Sequence, residues 1–277
     1  MNILGIDFED WYHPELIAKS LTNEKKIPKV VAGIDKIIDF LRINDTTATF
    51  FVVGELLQYK PELLDKIIGN EHEIGFHTMH HNRLDIDNSK EKFSEELKNF
   101  SLLTNNKCHG FRAPTFSLNQ KSSWVIDSLE EHGYIYDSSV VPAKSTMYGI
   151  PNAPTHPYKI SNTSIDKETS TGKLVEFPIM VTRFLGKKIP AGGGFYLRSL
   201  PLKIIKNAIK KYEQEGIPAT FYIHSWELTP ELMPRIKLPK KDYFITYHKL
   251  DRAKQKMQSL LESFNFTSVD NYMKNFN

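Results

Sequence analysis

Apolar positions along the 277-residue chain switch repeatedly between short continuous runs and helical spacing. Asn2–Phe8 is an apolar run that ends in acids, the pattern of a buried strand whose C-terminal end carries polar chemistry. Residues 30–41 place Val30, Ile34, Ile37, Ile38 and Leu41 on one helical stripe. Residues 48–53, β-branched and aromatic and closed by Gly54, predict a second strand. Residues 61–68 open with a proline suited to a first helical turn and predict a helix. Glu73–Phe76 predicts a brief third strand that delivers His77. Residues 89–103 and 121–132 predict helices, the second stopped by Gly133. Between them, residues 108–112 run into an extended or turn segment at Ala113-Pro114. Residues 134–136, 175–181 and 219–223 read as strands, and Leu202–Gln214 and 250–264 as helices. Residues 141–172, rich in Pro, Ser, Thr and Asn, predict a long irregular stretch, and loops of that length are usually functional.

This alternation of strand and helix predicts an α/β fold with a largely parallel sheet. About seven strand candidates over this length fit a deformed (β/α) barrel, and no repeat or linker divides the chain, so residues 1–277 are expected to form one domain. Barrel chemistry sits at the C-terminal ends of strands. The acids at 7 to 10, His77 and His224 all follow strand-like runs and are therefore expected to share one mouth.

Composition narrows the function classes. With 36 basic and 33 acidic residues the formal net charge is +3, too mild to predict a nucleic-acid partner. Cys108 is the only cysteine, which excludes an intrachain disulfide and a multi-thiolate metal site. No apolar run approaches the ~20 residues that span a bilayer, and no secretory pattern precedes the first strand. The expectation is a cytoplasmic protein without a transmembrane segment.

The candidate chemistry lies in His77-Thr78-Met79-His80-His81 and Asp7-Phe8-Glu9-Asp10. His77 and His81 stand four apart, which on a helical turn would put both imidazoles on one face. Gly75 before the pair and Asn82-Arg83 after it favour a loop at a barrel mouth. Two imidazoles and one carboxylate leave a coordination position open, as in catalytic zinc sites. Strand alternation turns Asp7 and Glu9 to one face and Asp10 to the other unless a bulge intervenes. Three carboxylates so close repel one another without a cation; a solvated acidic turn is the alternative. One acid would ligate a metal and another would take a proton from water. His80 should point elsewhere, and Thr78 can orient a ligand by hydrogen bonding. Histidines 13, 72, 109, 132, 156 and 248 have no partner spacing and read as ordinary core or surface groups.

Five segments in order resemble the motifs of a NodB-like polysaccharide deacetylase of the carbohydrate esterase type. They are Ile6-Asp7-Phe8-Glu9-Asp10-Trp11, the His77 to His81 run after the 49–54 strand, Gly110-Phe111-Arg112-Ala113-Pro114, Tyr136-Asp137-Ser138-Ser139, and Tyr222-Ile223-His224-Ser225-Trp226-Glu227. The first motif, together with the run from Ala191 to Tyr196, is most similar to the subgroup found with exopolysaccharide biosynthesis loci. The resemblance implies that Asp10 is the metal carboxylate beside His77 and His81. It implies Glu9 as general base, where the family usually has aspartate, with Asp7 as rival. It implies His224 as general acid, with Arg112 or Asp137 tuning the neighbourhood; a rim salt bridge for Arg112 and a turn cap for Asp137 remain the alternatives. Trp11, Pro114 and Trp226 are the implied substrate contacts.

The expected activity is metal-dependent removal of N-acetyl groups from an N-acetylated sugar in a polysaccharide or lipid-linked glycan. Zn2+ is the default ion, with Co2+, Ni2+ and Mn2+ able to occupy such a site. Two other readings stay open: a hydrolase of small ureide-type amides with the same site, and a catalytically inactive carbohydrate-binding protein on the same fold.

Overall fold

The first strand, β1 (Asn2–Phe8), is buried along its whole length. A strand covered on both faces needs an unbroken apolar run, and this one has it. The computed structural model describes residues 1–22, 24–86 and 90–276. The other strands are β2 (Thr49–Val52), β3 (Glu73–Phe76), β4 (Gly110–Phe111), β5 (Tyr136–Asp137), β6 (Tyr158–Ile160), β7 (Leu174–Glu176), β8 (Val181–Phe184), β9 (Lys187–Pro190), β10 (Thr220–His224) and β11 (Phe266–Thr267). The helices are α1 (Glu15–Ala18), α2 (Ile34–Ile43), α3 (Gly54–Tyr59), α4 (Glu62–Gly69), α5 (Lys90–Leu103), α6 (Trp124–Glu131), α7 (Gly194–Ser199), α8 (Leu202–Gln214), α9 (Ser225–Leu228), α10 (Lys240–Tyr247), α11 (Ala253–Leu261) and α12 (Val269–Phe276).

The main sheet runs β10-β1-β2-β3-β4-β5-β7-β6, with β11 also on β1. Every pair in it is parallel except β6 with β7. Beyond β7 the chain reaches the opposite edge, where Ile179 bridges Thr220 of β10. The sheet is thereby curled into a deformed barrel. Its nine strands exceed the expected seven, because β6 and β11 hold only three and two residues and carry no readable period.

Two apolar layers hold the barrel. Outside, Leu4, Ile6, Phe8, Phe50 and Val52 pack among Ile37, Leu41, Leu63 and Ile67 of α2 and α4. Inside, Ile3, Phe51, Tyr136 and Phe177 meet Val269 of α12, which plugs the end opposite the strand C-termini. Each such side chain contributes roughly 1.5–3 kcal/mol by leaving water.

Several elements differ from the sequence reading. The strand expected at 175–181 stops at Glu176, because Pro178 has no N–H for the ladder. The long irregular stretch contains β6. The β8–β9 hairpin, α3, α7, α10 and α12 were not expected. The helix expected from residue 89 is α5; Ser89 itself lies outside the described residues.

His72, just before β3, is 6% exposed and lies 5.3 Å from the Phe50 ring, with neither ring nitrogen hydrogen-bonded among the described residues. Burial pushes its pKa down to about 4. The unfolded chain therefore binds a proton between pH 6.5 and 4 that the folded chain refuses, so this contribution to stability is lost as pH falls through that window. Relative to His72→Phe, wild type should lose about 3 kcal/mol between pH 7 and pH 4. Paired urea titrations at the two pH values check this, and a constant difference would refute it.

Candidate active site

The C-terminal ends of β1, β3, β4 and β10 surround a cavity of about 140 Å³. Asp7, Glu9, His77, His81, His224 and Trp226 are among its lining residues. Alternation along β1 sends Asp7 and Glu9 into this space, and Asp10 away from it.

Ligand atoms of Glu9, His77 and His81 all lie within 4.8 Å of one another. His77 Nδ1 lies 2.7 Å from the Arg112 carbonyl. It donates there, leaving the Nε2 lone pair free to ligate, the usual second contact of a metal-binding histidine. Burial pushes His77 down to about 4, so the ring is neutral at pH 7, the form that binds metal. Glu9 Oε2 approaches His81 Nε2 to 2.8 Å but without hydrogen-bond alignment, and it is left with no hydrogen-bond partner among the described residues. Trp226 Nε1 donates to Glu9 Oε1 at 2.9 Å and fixes the carboxylate. Burial opposes charge on Glu9, but His81, His224 and His77 outweigh it and hold its carboxyl well below the usual range. An orphaned buried carboxylate oxygen beside two imidazoles fits a divalent cation.

Asp10 requires a correction. Its Oδ1 accepts the N–H groups of Trp11 and Lys29 at 2.8 and 3.0 Å, and its Oδ2 those of Lys29, Val30 and Val31 at 2.9, 2.8 and 3.2 Å. This carboxylate caps the 3-10 turn Val30–Gly33 that leads into α2, so it is spent on backbone donors. Glu9 stands where the resemblance placed Asp10.

The histidine segment is a loop, not a helical turn. Thr78 and His81 both take left-handed φ values of 57°, an uncommon conformation outside glycine that is kept where surroundings enforce it. Here Gly54 and Glu55 N–H groups hold the Thr78 and Met79 carbonyls at 3.0 and 2.9 Å, and Glu96 Oε2 accepts Met79 N–H at 3.1 Å. A Cβ on Gly54 would lie 2.2 Å from Met79 Sδ, so glycine lets the Met79 side chain pack directly on this turn. The Thr78 hydroxyl makes no hydrogen bond among the described residues; its carbonyl carries the contact. His80 turns to Glu55 Oε2 at 2.7 Å. His13, expected to be ordinary, is built into the same support. Its Nδ1 accepts Asp10 N–H at 2.7 Å and its Nε2 donates to Glu55 Oε1 at 2.9 Å.

Arg112 is fully buried inside the barrel, 4.0 Å from the Phe51 ring centroid. It donates to Asp7 Oδ1 at 2.7 Å, to the Ser138 carbonyl at 2.9 Å and to Ser138 Oγ at 2.8 Å. Gly5 makes room for it, since a Cβ there would come 2.6 Å from Arg112 Nη1. Asp137 touches neither His224 nor the Arg112 guanidinium by hydrogen bond. Its Oδ1 accepts Ser139 Oγ at 2.5 Å; burial raises the pKa of Asp137, and burial followed by the Asp137 charge raises that of Glu176.

On the opposite wall His224 Nδ1 donates to Glu227 Oε2 at 2.7 Å, which turns Nε2 toward Glu9 Oε1 at 3.8 Å. Burial opposes its charge, yet Glu227, Glu9 and Asp7 push its pKa up to about 9. Trp226 stacks on it at 4.6 Å and lines the cavity. Trp11 does not line it; it packs with Tyr12 and donates to the Ile27 carbonyl at 2.9 Å. Pro114 starts a buried 3-10 turn, and its neighbours Thr115 and Phe116 line the cavity instead.

Arg198, buried and unassigned by the sequence reading, ties this wall together. It donates to Glu227 Oε1 at 2.6 Å and to the carbonyls of Ile245, Thr246 and His248 at 3.0, 3.0 and 2.8 Å. Glu227 was visible three residues after His224, but nothing local marked Arg198. Met147 and Tyr148, from the long irregular stretch, and Phe195 also line the cavity.

Residues 21–136 match the family model "Polysaccharide deacetylase", and residues 138–274 match "Domain of unknown function (DUF3473)". A peptidoglycan-N-acetylglucosamine deacetylase from Bacillus cereus is 39% identical over 116 residues, which is 41% of this chain and 46% of that protein. The chain thus spans about half the length of that relative. Among solved structures, a protein from Mycobacterium smegmatis provisionally described as a polysaccharide deacetylase aligns with a TM-score of 0.55 and 16% identity, over 99% of this chain and 90% of that one. The 4-alpha-glucanotransferase of Thermococcus litoralis aligns with a TM-score of 0.58 and 15% identity, over 100% of this chain and 41% of that one. Both similarities concern the fold.

Proposed function

We propose that this chain, which belongs to the polysaccharide deacetylase family, is a metal-dependent hydrolase that removes N-acetyl groups from an N-acetylated glycan. The observation that carries the reading is the meeting of Glu9, His77 and His81 in a cavity that also presents Asp7 and His224. Glu9, His77 and His81 would hold the ion, and Zn2+ suits one carboxylate with two imidazoles. Such a cation supplies Lewis acidity, polarising an amide carbonyl and making water more acidic. Asp7, oriented by Arg112, takes the proton from the attacking water. The C–N bond of the acetamide breaks as His224 Nε2 delivers a proton to the departing amine, releasing acetate and a free amino sugar. Glu227 and Arg198 hold His224 in the donor orientation. Trp226, Tyr148 and Phe195 offer aromatic faces for sugar rings.

The deacetylase relative supports a glycan substrate. The match over 138–274 is typical of the exopolysaccharide-associated subgroup, which supports an exopolysaccharide or lipid-linked intermediate. We read residues 1–277 as one catalytic domain, since β5 and β7 pair across the boundary between the two family matches. No helix among the described residues is long and apolar enough to cross a membrane.

The test is acetate release from N-acetylglucosamine oligomers by Zn2+-loaded protein. Release should stop with a chelator and return with Zn2+. Ammonia release from ureides without acetate release would move the reading to small amides, and neither product from metal-loaded protein would favour the inactive binder.

A further inference from the structure

The β8–β9 hairpin stands outside the barrel sheet, and its sequence works against its own stability. Its two-residue turn, Leu185-Gly186, has φ values of 49° and 77°, a double left-handed turn that favours Asn or Asp at its first position. Leu185 takes that strained position and is 86% exposed, and the preceding Phe184 is also exposed. Register places Arg183 directly opposite Lys188, and like charges opposed across two strands repel. Lys187 faces Phe184 on the other side of the hairpin. Among the described residues no carboxylate forms an ion pair with Arg183, Lys187 or Lys188. Partial burial, then the charge of Arg183, lowers the pKa of Lys188. Between the hairpin and α8 lies a groove of about 570 Å³, lined in part by Arg183, Lys188 and Lys211; Lys211 alone has an acidic neighbour, Glu215 at 3.7 Å.

A partner that is apolar in depth and anionic at its surface would cover Phe184 and Leu185 and balance the opposed cations together. We propose that the β8–β9 hairpin docks the protein on an anionic phospholipid bilayer, with Leu185 and Phe184 inserted between headgroups and Arg183, Lys187 and Lys188 on lipid phosphates. Two apolar side chains at a tip offer a fraction of the roughly 800 Å² per partner that a stable protein interface buries. Interfacial insertion asks only for a few apolar side chains backed by cations. This inference goes beyond the deacetylase reading and does not depend on it.

The experiment is flotation of the full chain with vesicles of phosphatidylcholine, alone or with phosphatidylglycerol, in the absence of any glycan. Wild type should float with the phosphatidylglycerol vesicles only, and less as salt is raised. Leu185→Asn should fold at least as well, since Asn suits the left-handed turn, yet partition about tenfold less. Arg183→Gln and Lys188→Gln should each lower partition about fivefold. Acetate release from a soluble oligomer should be unchanged in all three, and loss of flotation with that activity intact separates this proposal from the site assignment. Wild type that ignores phosphatidylglycerol, or Leu185→Asn that floats equally, would overturn it. So would sedimentation velocity showing that Leu185→Asn turns a dimer into a monomer, because a second copy would then be the occupant.

Discussion

Glu9→Gln is expected to lose its metal and, with it, essentially all deacetylation, whereas Asp10→Asn is expected to keep both. The amide that Glu9→Gln introduces fills the same space and still accepts the Trp226 N–H, but it removes the one anionic donor from a site whose other donors are two imidazoles. Loss of a supporting contact around a metal typically costs 10–100-fold in affinity, and loss of a ligand costs more. Turnover should fall beyond the roughly 10²–10³ that removing one transition-state donor costs. Asp10→Asn acts on the fold. Its carboxylate serves the N–H groups of Trp11, Lys29, Val30 and Val31, and an amide NH2 in that nest sets donor against donor. A loss of about 1–3 kcal/mol is expected, with metal stoichiometry unchanged. Metal content by mass spectrometry and urea midpoints for both variants check the pair. The opposite pattern, with metal lost in Asp10→Asn and kept in Glu9→Gln, would return the ligand role to Asp10.

The contrast between Glu9 and Asp10 shows where sequence reading is strong. Period-two alternation along β1 already put Asp7 and Glu9 on one face and Asp10 on the other, and that local rule describes the geometry better than motif register does. β1, β3, α8 and β10 were readable because burial on both faces, or on one stripe, leaves a pattern in the chain itself. Other parts had no such local signal. α10 (KKDYFITY) presents no one-sided apolar stripe; its last carbonyls are satisfied by Arg198, more than forty residues earlier. The left-handed residues Thr78 and His81 depend on Gly54 and Glu96 docking from other elements. Asp137 reads as a tuning group because it stands in a recognisable motif; in the structure its Oδ1 accepts the Ser139 hydroxyl of its own turn, a contact that no periodicity signals. Patterns in one segment report which side chains leave water. Which partner meets a buried polar atom is set by contacts between segments.

Asp7→Asn carries the second large effect, a fall of about 10²–10⁴ in kcat with the metal retained. The amide oxygen introduced by this change can still accept the Arg112 N–H, so the guanidinium keeps its position over Phe51. What disappears is the proton acceptor facing the cavity and the charge that balances a fully buried cation. Some loss of stability is therefore expected, below the roughly 3–5 kcal/mol that follows when one partner of a buried pair is removed outright, as in Arg112→Met. A structural and a chemical role for Asp7 predict different responses to a small carboxylate. If Asp7 takes the proton, Asp7→Ala loaded with metal should regain part of its turnover when formate is added, because formate can enter the space the side chain leaves. A role confined to holding Arg112 gives no such recovery. Metal-loaded Asp7→Asn with more than about a tenth of wild-type kcat would remove Asp7 from proton transfer, because positioned general bases contribute at least about 10²-fold.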